Sequence, residues 1–309
     1  MSLYFTSPIP RKALWGGTTL RKYFRFPEDF GNDIGQCWVF SAQESAPSFL
    51  LNGEYPGQTL SDLWQERPEL FKSSRKVFPY IISLVAPEDD LSIQVHPDDA
   101  YARALGYVSG KNEAWVFLES PAEGSIVYGH SAQDQKQLLA MIARKDWQGL
   151  VQRLPVEKGD TVYIPAGTLH ALTKGSVVYE IQQSTDVTYR FYDYDRRDQA
   201  GNTRPLQLEQ AVACLHYGEA DQSHPPRRIR ALTNGQEEIC LENDSFVVRR
   251  ILCSDGCTLC YPGYLLATVI SGTGRVNAAN VQIGSSFLIP AQEKVFVQGE
   301  LTMLTTSEI

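Results

Sequence analysis

The chain has 309 residues, a formal net charge of −8, 43% hydrophobic and 21% charged residues, the balance of an ordinary soluble globular protein. That length can bury one large core or two, and the acidic balance argues against nucleic acid or an anionic membrane as the main partner. No long apolar run could span a bilayer, and the start MSLYFTSPIPRKALWGG lacks the apolar core of a secretory signal, so a cytoplasmic protein is expected.

In chain order, residues 1–60 read as irregular, rich in Gly, Pro and aromatics, with short β-prone pieces such as Cys37–Ser41. Short helices are expected over Ser61–Leu70 and Pro97–Leu105. In the second, Pro97 suits the first turn, and Asp98 and Asp99 complement the amino-terminal dipole, so capping is the preferred reading for both acids. Between these helices the apolar run Phe78–Val85 leads into LSIQVHPDD (Leu91–Asp99). This begins as a strand with Ile93 and Val95 on one face and Gln94 and His96 on the other. Ala114–Tyr128 returns to strand, broken by Pro121 and Gly124 as a hairpin would be.

Ser131–Asp134 reads as a capping box. Behind it Leu138, Leu139, Met141, Ile142, Trp147, Leu150, Val151 and Leu154 recur at helical spacing, which predicts a packed helix. A further short helix is expected over Leu206–Tyr217. His130, His216 and His224 lie beside turn signals or in that helix, and surface or capping roles are expected for all three. From about Arg227 the chain returns to short strands and turns. Six cysteines in a chain this long do not suggest a disulfide framework. A thiolate metal knuckle at Cys253, Cys257 and Cys260 is weighed and set aside in favour of buried reduced thiols.

An internal repeat organises these pieces. Gly159–His170 (GDTVYIPAGTLH) and Gly284–Val295 (GSSFLIPAQEKV) share Gly, Ile, Pro and Ala at one offset, and Val295 stands where His170 would fall. The chain is therefore expected to be mainly β, two jelly-roll barrels with a small helical segment between or beside them. Residues 1–205 would form a barrel with a helical insertion near 131–154, and residues 206–309 a short helix plus a second barrel that has lost its ligand.

Gln94, His96, Glu113 in GKNEAW and His170 in PAGTLHAL come from three separate segments and read as one metal site, two imidazoles and a carboxylate suiting zinc or non-haem iron. After the His170 hairpin comes YEIQQSTDVTYRFYDYDRR (Tyr179–Arg197). Its arginines have the fork geometry that suits phosphate oxygens, and Arg190, set among aromatics, is the one least suited to a surface role.

LSIQVHPDD, GKNEAW, PAGTLHAL and YEIQQSTDVTYRFYDYDRR, in this order, resemble the type I mannose-6-phosphate isomerases in their short bacterial form, a family of cupins. The similarity runs from ALWGG near Trp15 to at least Arg197. The resemblance implies one zinc ion per chain on Gln94, His96, Glu113 and His170. It also implies Lys111 and Arg190 as catalytic cations and Ser92 and Arg196 as phosphate-binding residues. Moving a proton between neighbouring sugar carbons needs a base, for which Glu180 is the first candidate. Two departures stand out: GQCWVF (Gly35–Phe40) replaces the family's Glu-rich segment, and Ser109–Gly110 stands where relatives carry Gly-Glu.

The implied partner is a small sugar phosphate, with monomer and homodimer both open. Two rival classes stay in view, a non-catalytic sugar-phosphate-binding cupin and a different cupin metalloenzyme of oxygenase type.

Overall fold

β-Branched and aromatic residues at period two, cut by Gly and Pro, make strands the dominant element, and the chain is mainly β. The structure, a computed structural model, describes residues 3–198, 200–218 and 224–309.

Two antiparallel sheets face each other in the amino-terminal part. The six-stranded sheet runs Thr161–Ile164, Glu113–Glu119, Val177–Gln183, Tyr80–Val85, Ile34–Phe40, Ile9–Gly17. The five-stranded sheet runs Val151–Pro155, Ser125–His130, His170–Ala171, Ile93–Val95, Tyr189–Tyr192. From Tyr80 onward successive strands alternate between the two sheets, except that Val151–Pro155 adds beside Ser125–His130. This is the jelly-roll arrangement, in which the other connections cross from one wall to the other.

Period two then sorts the side chains. On Val177–Gln183, Tyr179 and Ile181 point one way into a core shared with Phe246, Val248, Leu266 and Leu304. Val178 points the other way, with Trp115 and Phe117, toward Ile93, Val95, Ala171 and Phe191 of the five-stranded sheet. The central sheet is thus covered on both faces, and Tyr179 Oη meets Thr306 Oγ1 at 2.8 Å across the buried seam. Eight carboxy-terminal strands belong to a nine-stranded sheet with its own core of Leu265, Val269, Phe287, Val297 and Met303. Tyr4–Phe5 joins that sheet as well, paired with Phe287 and Leu288, so the first strand of the chain sits beside one of the last.

The internal repeat is present in the backbone. Thr161–Ile164 and Ser286–Ile289 are both strands, Gly159 and Gly284 both have positive φ (97° and 88°), and Gly167 and Gln292 occupy matching left-handed positions (85° and 62°).

Several local expectations change. Ile9–Gly17 is a full member of the six-stranded sheet, where an irregular region was expected, and Ile34–Phe40 is a longer strand that contains most of the β-prone piece expected at Cys37–Ser41. Pro10 is tolerated there because its strand lies at the edge. The single helix expected through Leu154 is two, Gln135–Ala143 and Trp147–Leu150, separated at Lys145 (φ 56°), and Val151 and Leu154 lie on a strand. The first cap is Asp134, which accepts from Gln137 N, whereas Ser131 Oγ donates to Gly149 O. Asp98 does cap Asp99–Ala104, accepting from Tyr101 N at 2.7 Å, but Pro97 precedes that cap and lies outside the first turn. His130 is buried, not on the surface, with Nε2 3.1 Å from His216 O. All six cysteines are free, and only Cys260 is exposed.

Candidate metal centre and active site

Ile93–Val95 is short, and its middle residue Gln94 pairs with His170 on one side and Arg190 on the other. The opposite sheet supplies Glu113 and Glu180, on neighbouring strands where Glu113 is in register with Gln182 and Trp115 with Glu180. His96 follows its strand directly and its carbonyl accepts from Gly167 N at 2.9 Å, which ties the Pro165–Gly167 turn to the site. Gly167 has φ 85°, and a Cβ there would come within 2.7 Å of the His216 ring, so only glycine fits this turn. Asn112 joins the pieces: its N–H donates to Gln183 Oε1 (2.8 Å) and its Oδ1 accepts from Ala166 N (2.9 Å).

Three ligands meet here. The donor atoms of His96, Glu113 and His170 all lie within 4.8 Å of one another, and all three residues are buried. His96 Nε2 is 3.3 Å from Glu113 Oε2, and His170 Nε2 is 3.1 Å from Glu113 Oε1. Donors about 2.1 Å from a tetrahedral ion sit roughly 3.4 Å apart, close to these separations. Gln94 reaches the cluster through its amide, whose end lies 3.5 Å from His170 Nε2; rotation of the amide exchanges its nitrogen for its oxygen.

The proton positions make the cluster a fit for a cation. His96 Nδ1 lies 2.8 Å from Val187 O and His170 Nδ1 2.8 Å from Thr168 O, so a neutral ring at either place carries its hydrogen there and turns a bare Nε2 lone pair toward Glu113. Burial, with the Lys111 charge, pushes the His96 pKa down to about 3, so this ring stays neutral near pH 7. Two lone pairs therefore confront a carboxylate. Neither Glu113 oxygen nor His96 Nε2 has a hydrogen-bond partner, and Lys111 Nζ approaches one oxygen only, at 3.3 Å. Burial works to raise the Glu113 pKa, but the positive charge of Lys111 outweighs it and holds the carboxyl well below the usual carboxylate range.

Glu180 is the contrasting acid. Trp115 Nε1 and Gln36 Nε2 each donate to it at 2.9 Å, yet burial, reinforced by the negative charge of Glu113, pushes its pKa up to about 7. Between roughly pH 4.5 and pH 7 the folded protein then holds a proton that the unfolded chain has lost, so this group's stabilisation is complete at low pH and fades as pH rises. Metal-free wild type should lose roughly 3 kcal/mol relative to Glu180→Gln between pH 4.5 and pH 7.5, a span of about 2.5 pKa units at 1.36 kcal/mol each. Denaturant unfolding of both proteins across that range checks it, and a pH-independent difference would refute the raised pKa.

Beside the cluster opens a cavity of about 190 Å³ lined by Trp15, Gln36, Ser92, Gln94, Lys111, Glu180, Arg190 and Arg204, among others. Of the residues picked out by sequence, Ser92, Gln94, Lys111, Glu180 and Arg190 face this space, and the cluster lies behind two of them, Glu113 at 3.3 Å from Lys111 Nζ and His170 at 3.5 Å from the Gln94 amide. Ser92 is buried, and its Oγ accepts from Arg190 Nε at 3.3 Å. Arg196 stands apart: its guanidinium binds Asp193 (2.6 Å), Asp89 (3.3 Å) and Asp90 O, and does not line the cavity.

Sequence reasoning missed Gln36, Asp193 and Arg204. Gln36 left a signal, a polar residue inside the otherwise apolar strand Ile34–Phe40, within the segment already marked as a departure. Arg204 left none, because it comes from an irregular segment whose path only the folded chain sets.

Strands alternating between two facing sheets, around a buried His/Glu/His cluster that could hold a metal ion beside a polar cavity, define a cupin-like protein. Comparison with known proteins narrows this. The family phosphomannose isomerase type I, catalytic domain, matches residues 6–114. GmuF of Bacillus subtilis (strain 168), named as a probable mannose-6-phosphate isomerase, is 36% identical, over 98% of this chain and 96% of that protein. The mannose-6-phosphate isomerase of Streptococcus mutans is 37% identical over 86% of this chain and 84% of that protein. The crystal structure of the mannose 6-phosphate isomerase from Bacillus subtilis superimposes with a TM-score of 0.92 at 33% identity, covering 99% of both chains. The chain belongs to the type I mannose-6-phosphate isomerase family of aldose–ketose isomerases. Among the described residues no helix is long and apolar enough to cross a membrane.

Proposed function

We propose that the chain interconverts mannose 6-phosphate and fructose 6-phosphate with one zinc ion held by Gln94, His96, Glu113 and His170. The observation that carries this reading is the buried pair of imidazole lone pairs aimed at an unsatisfied carboxylate, opening onto a cavity with Lys111, Glu180 and Arg190 in its wall. Two neutral imidazoles with oxygen ligands suit zinc, which when bound would polarise the substrate oxygens and stabilise negative charge on them.

The remaining work falls to side chains. Glu180, held by Trp115 and Gln36, is the base that takes the proton from one sugar carbon and returns it to the next, a role worth roughly a hundred- to ten-thousand-fold. Its burial makes it a stronger base than an ordinary exposed carboxylate. Lys111 and Arg190 place fixed positive charge beside the oxygens that become negative in the enediol-like state. Contacts to the distant phosphate hold the reacting end in place. A cytoplasmic setting, and a division of labour between a catalytic part (residues 1–205) and a covering part (206–309), belong to the same proposal.

The test is metal content by elemental analysis, then fructose 6-phosphate formation before chelation, after it, and with zinc restored. Conversion lost on chelation and regained with zinc is expected. Binding of either sugar phosphate without conversion would replace the enzyme with a sensor, and metal-dependent oxygen uptake would replace it with an oxygenase.

A further inference from the structure

Asp193 is buried and receives two arginines. Arg204 approaches it as a fork, Nε to Oδ2 at 2.7 Å and Nη2 to Oδ1 at 2.5 Å, and Arg196 adds Nη2 to Oδ1 at 2.6 Å from the other side. Burial alone would raise the Asp193 pKa, but these bonds outweigh it and hold the carboxyl ionised, below its ordinary value. Arg196 is further occupied by Asp89 and Asp90 O, and its guanidinium lies 5.2 Å from the Tyr194 ring centre, away from the cavity. Arg204 does line the cavity, and with Nε–H and one Nη2–H committed to Asp193 both Nη1 hydrogens and the second Nη2 hydrogen are left for a ligand.

Next to it is Arg190, whose Nη1 donates to Pro205 O, one residue along from Arg204, and whose Nε donates to Ser92 Oγ. Two guanidinium groups and a buried hydroxyl thus converge at one end of the cavity, with a single fully buried carboxylate behind them. The positive excess is what an anion with several oxygens requires. Ser92 and Gln94 are two residues apart along the chain, about 7 Å in extended conformation. That matches the reach from the reacting carbons of a six-carbon sugar to a phosphate on its far end.

We propose that Arg204 is the principal phosphate-binding residue of this cavity and that Asp193 is the residue that positions it, with Arg196 acting behind Asp193 instead of on the ligand. The identity of the phosphate as part of a sugar phosphate rests on the isomerase reading; the anion site itself does not.

The experiment uses the metal-loaded protein and Arg204→Gln, Arg204→Lys and Asp193→Asn, each checked for metal content and unfolding midpoint. Arg204→Gln should raise KM for mannose 6-phosphate roughly 30-fold or more, the scale for losing one partner of a hydrogen-bonded charge pair, while kcat moves by no more than about threefold. Competition by inorganic phosphate should weaken by the same factor. Asp193→Asn should raise KM by a smaller factor, since the cation remains but its fork is no longer held, and Arg204→Lys should recover part of the loss. A folded Arg204→Gln protein with KM and phosphate competition within about twofold of wild type would overturn the proposal. So would a fall in kcat at unchanged KM.

Should Arg204→Gln fail to fold, Arg204→Lys and Asp193→Asn decide the matter: wild-type KM in both overturns it. If the wild type turns over no sugar phosphate, calorimetry with inorganic phosphate separates the two ideas. Binding that is lost in the Arg204 variants upholds the anion site while the isomerase reading falls, and no binding, or binding unchanged in the variants, removes the site as well.

Discussion

Replacing Glu113 by glutamine will empty the metal centre and reduce isomerase activity at least a thousandfold, a loss on the scale of removing preorganised charge stabilisation together with the ligand that holds it. The substitution keeps the shape of the side chain and removes its charge. What remains are two neutral imidazoles, both fixed by Nδ1 contacts to backbone carbonyls, and the Lys111 ammonium, which stands 3.3 Å from the missing charge. The ammonium then opposes a divalent cation with no carboxylate to offset it, and the two imidazoles alone hold one only weakly. Elemental analysis after dialysis should fall from one metal ion per chain to near none. The variant should also be less stable than metal-free wild type, because a buried Lys111 loses its carboxylate partner, a change that typically costs about 3–5 kcal/mol. Retention of stoichiometric metal and of activity in Glu113→Gln would mean that the three-residue cluster is not the metal centre.

Arg190→Ala should do the reverse, keeping the metal and losing turnover. Its backbone is in register with Gln94, and alanine preserves that strand pairing, so the ligand geometry survives. Its side chain is half-buried in the cavity wall, where burial, with Arg204 beside it, lowers its pKa below the ordinary guanidinium value. If Arg190 carries the role proposed for it, removing its charge should lower kcat by roughly 10²–10³-fold, with metal content unchanged. Arg190→Lys should restore little, since a lysine cannot reproduce the fork that meets Ser92 Oγ and Pro205 O together. Full activity in Arg190→Ala would remove Arg190 from the chemistry.

The three segments that build the centre were all legible before any fold was known. Each is a short, locally coded unit. The strand around Gln94 shows its two faces by alternation, the Pro165–Gly167 turn is written in its own residues, and Glu113 opens an apolar run. The helical region was less legible, because Lys145 adopts a left-handed conformation and Asp146 starts a new helix in the middle of a stripe with unbroken periodicity. His130 was misplaced for a related reason: nothing near it in sequence announces that the carbonyl of His216 will cover it.

By itself the sequence determined the strand-rich architecture, the repeated Gly–Ile–Pro–Ala hairpin and the ligand types, since these depend on side-chain alternation and turn chemistry within about ten residues. Only the tertiary structure decided that Gln36 holds Glu180 from 144 positions away, and that Arg204 rather than Arg196 enters the cavity, with Asp193 between them. It also decided that Tyr4–Phe5 closes the distant carboxy-terminal sheet. Such contacts are chosen by packing between elements far apart in the chain, and no local pattern encodes which of several equally polar residues will be turned inward.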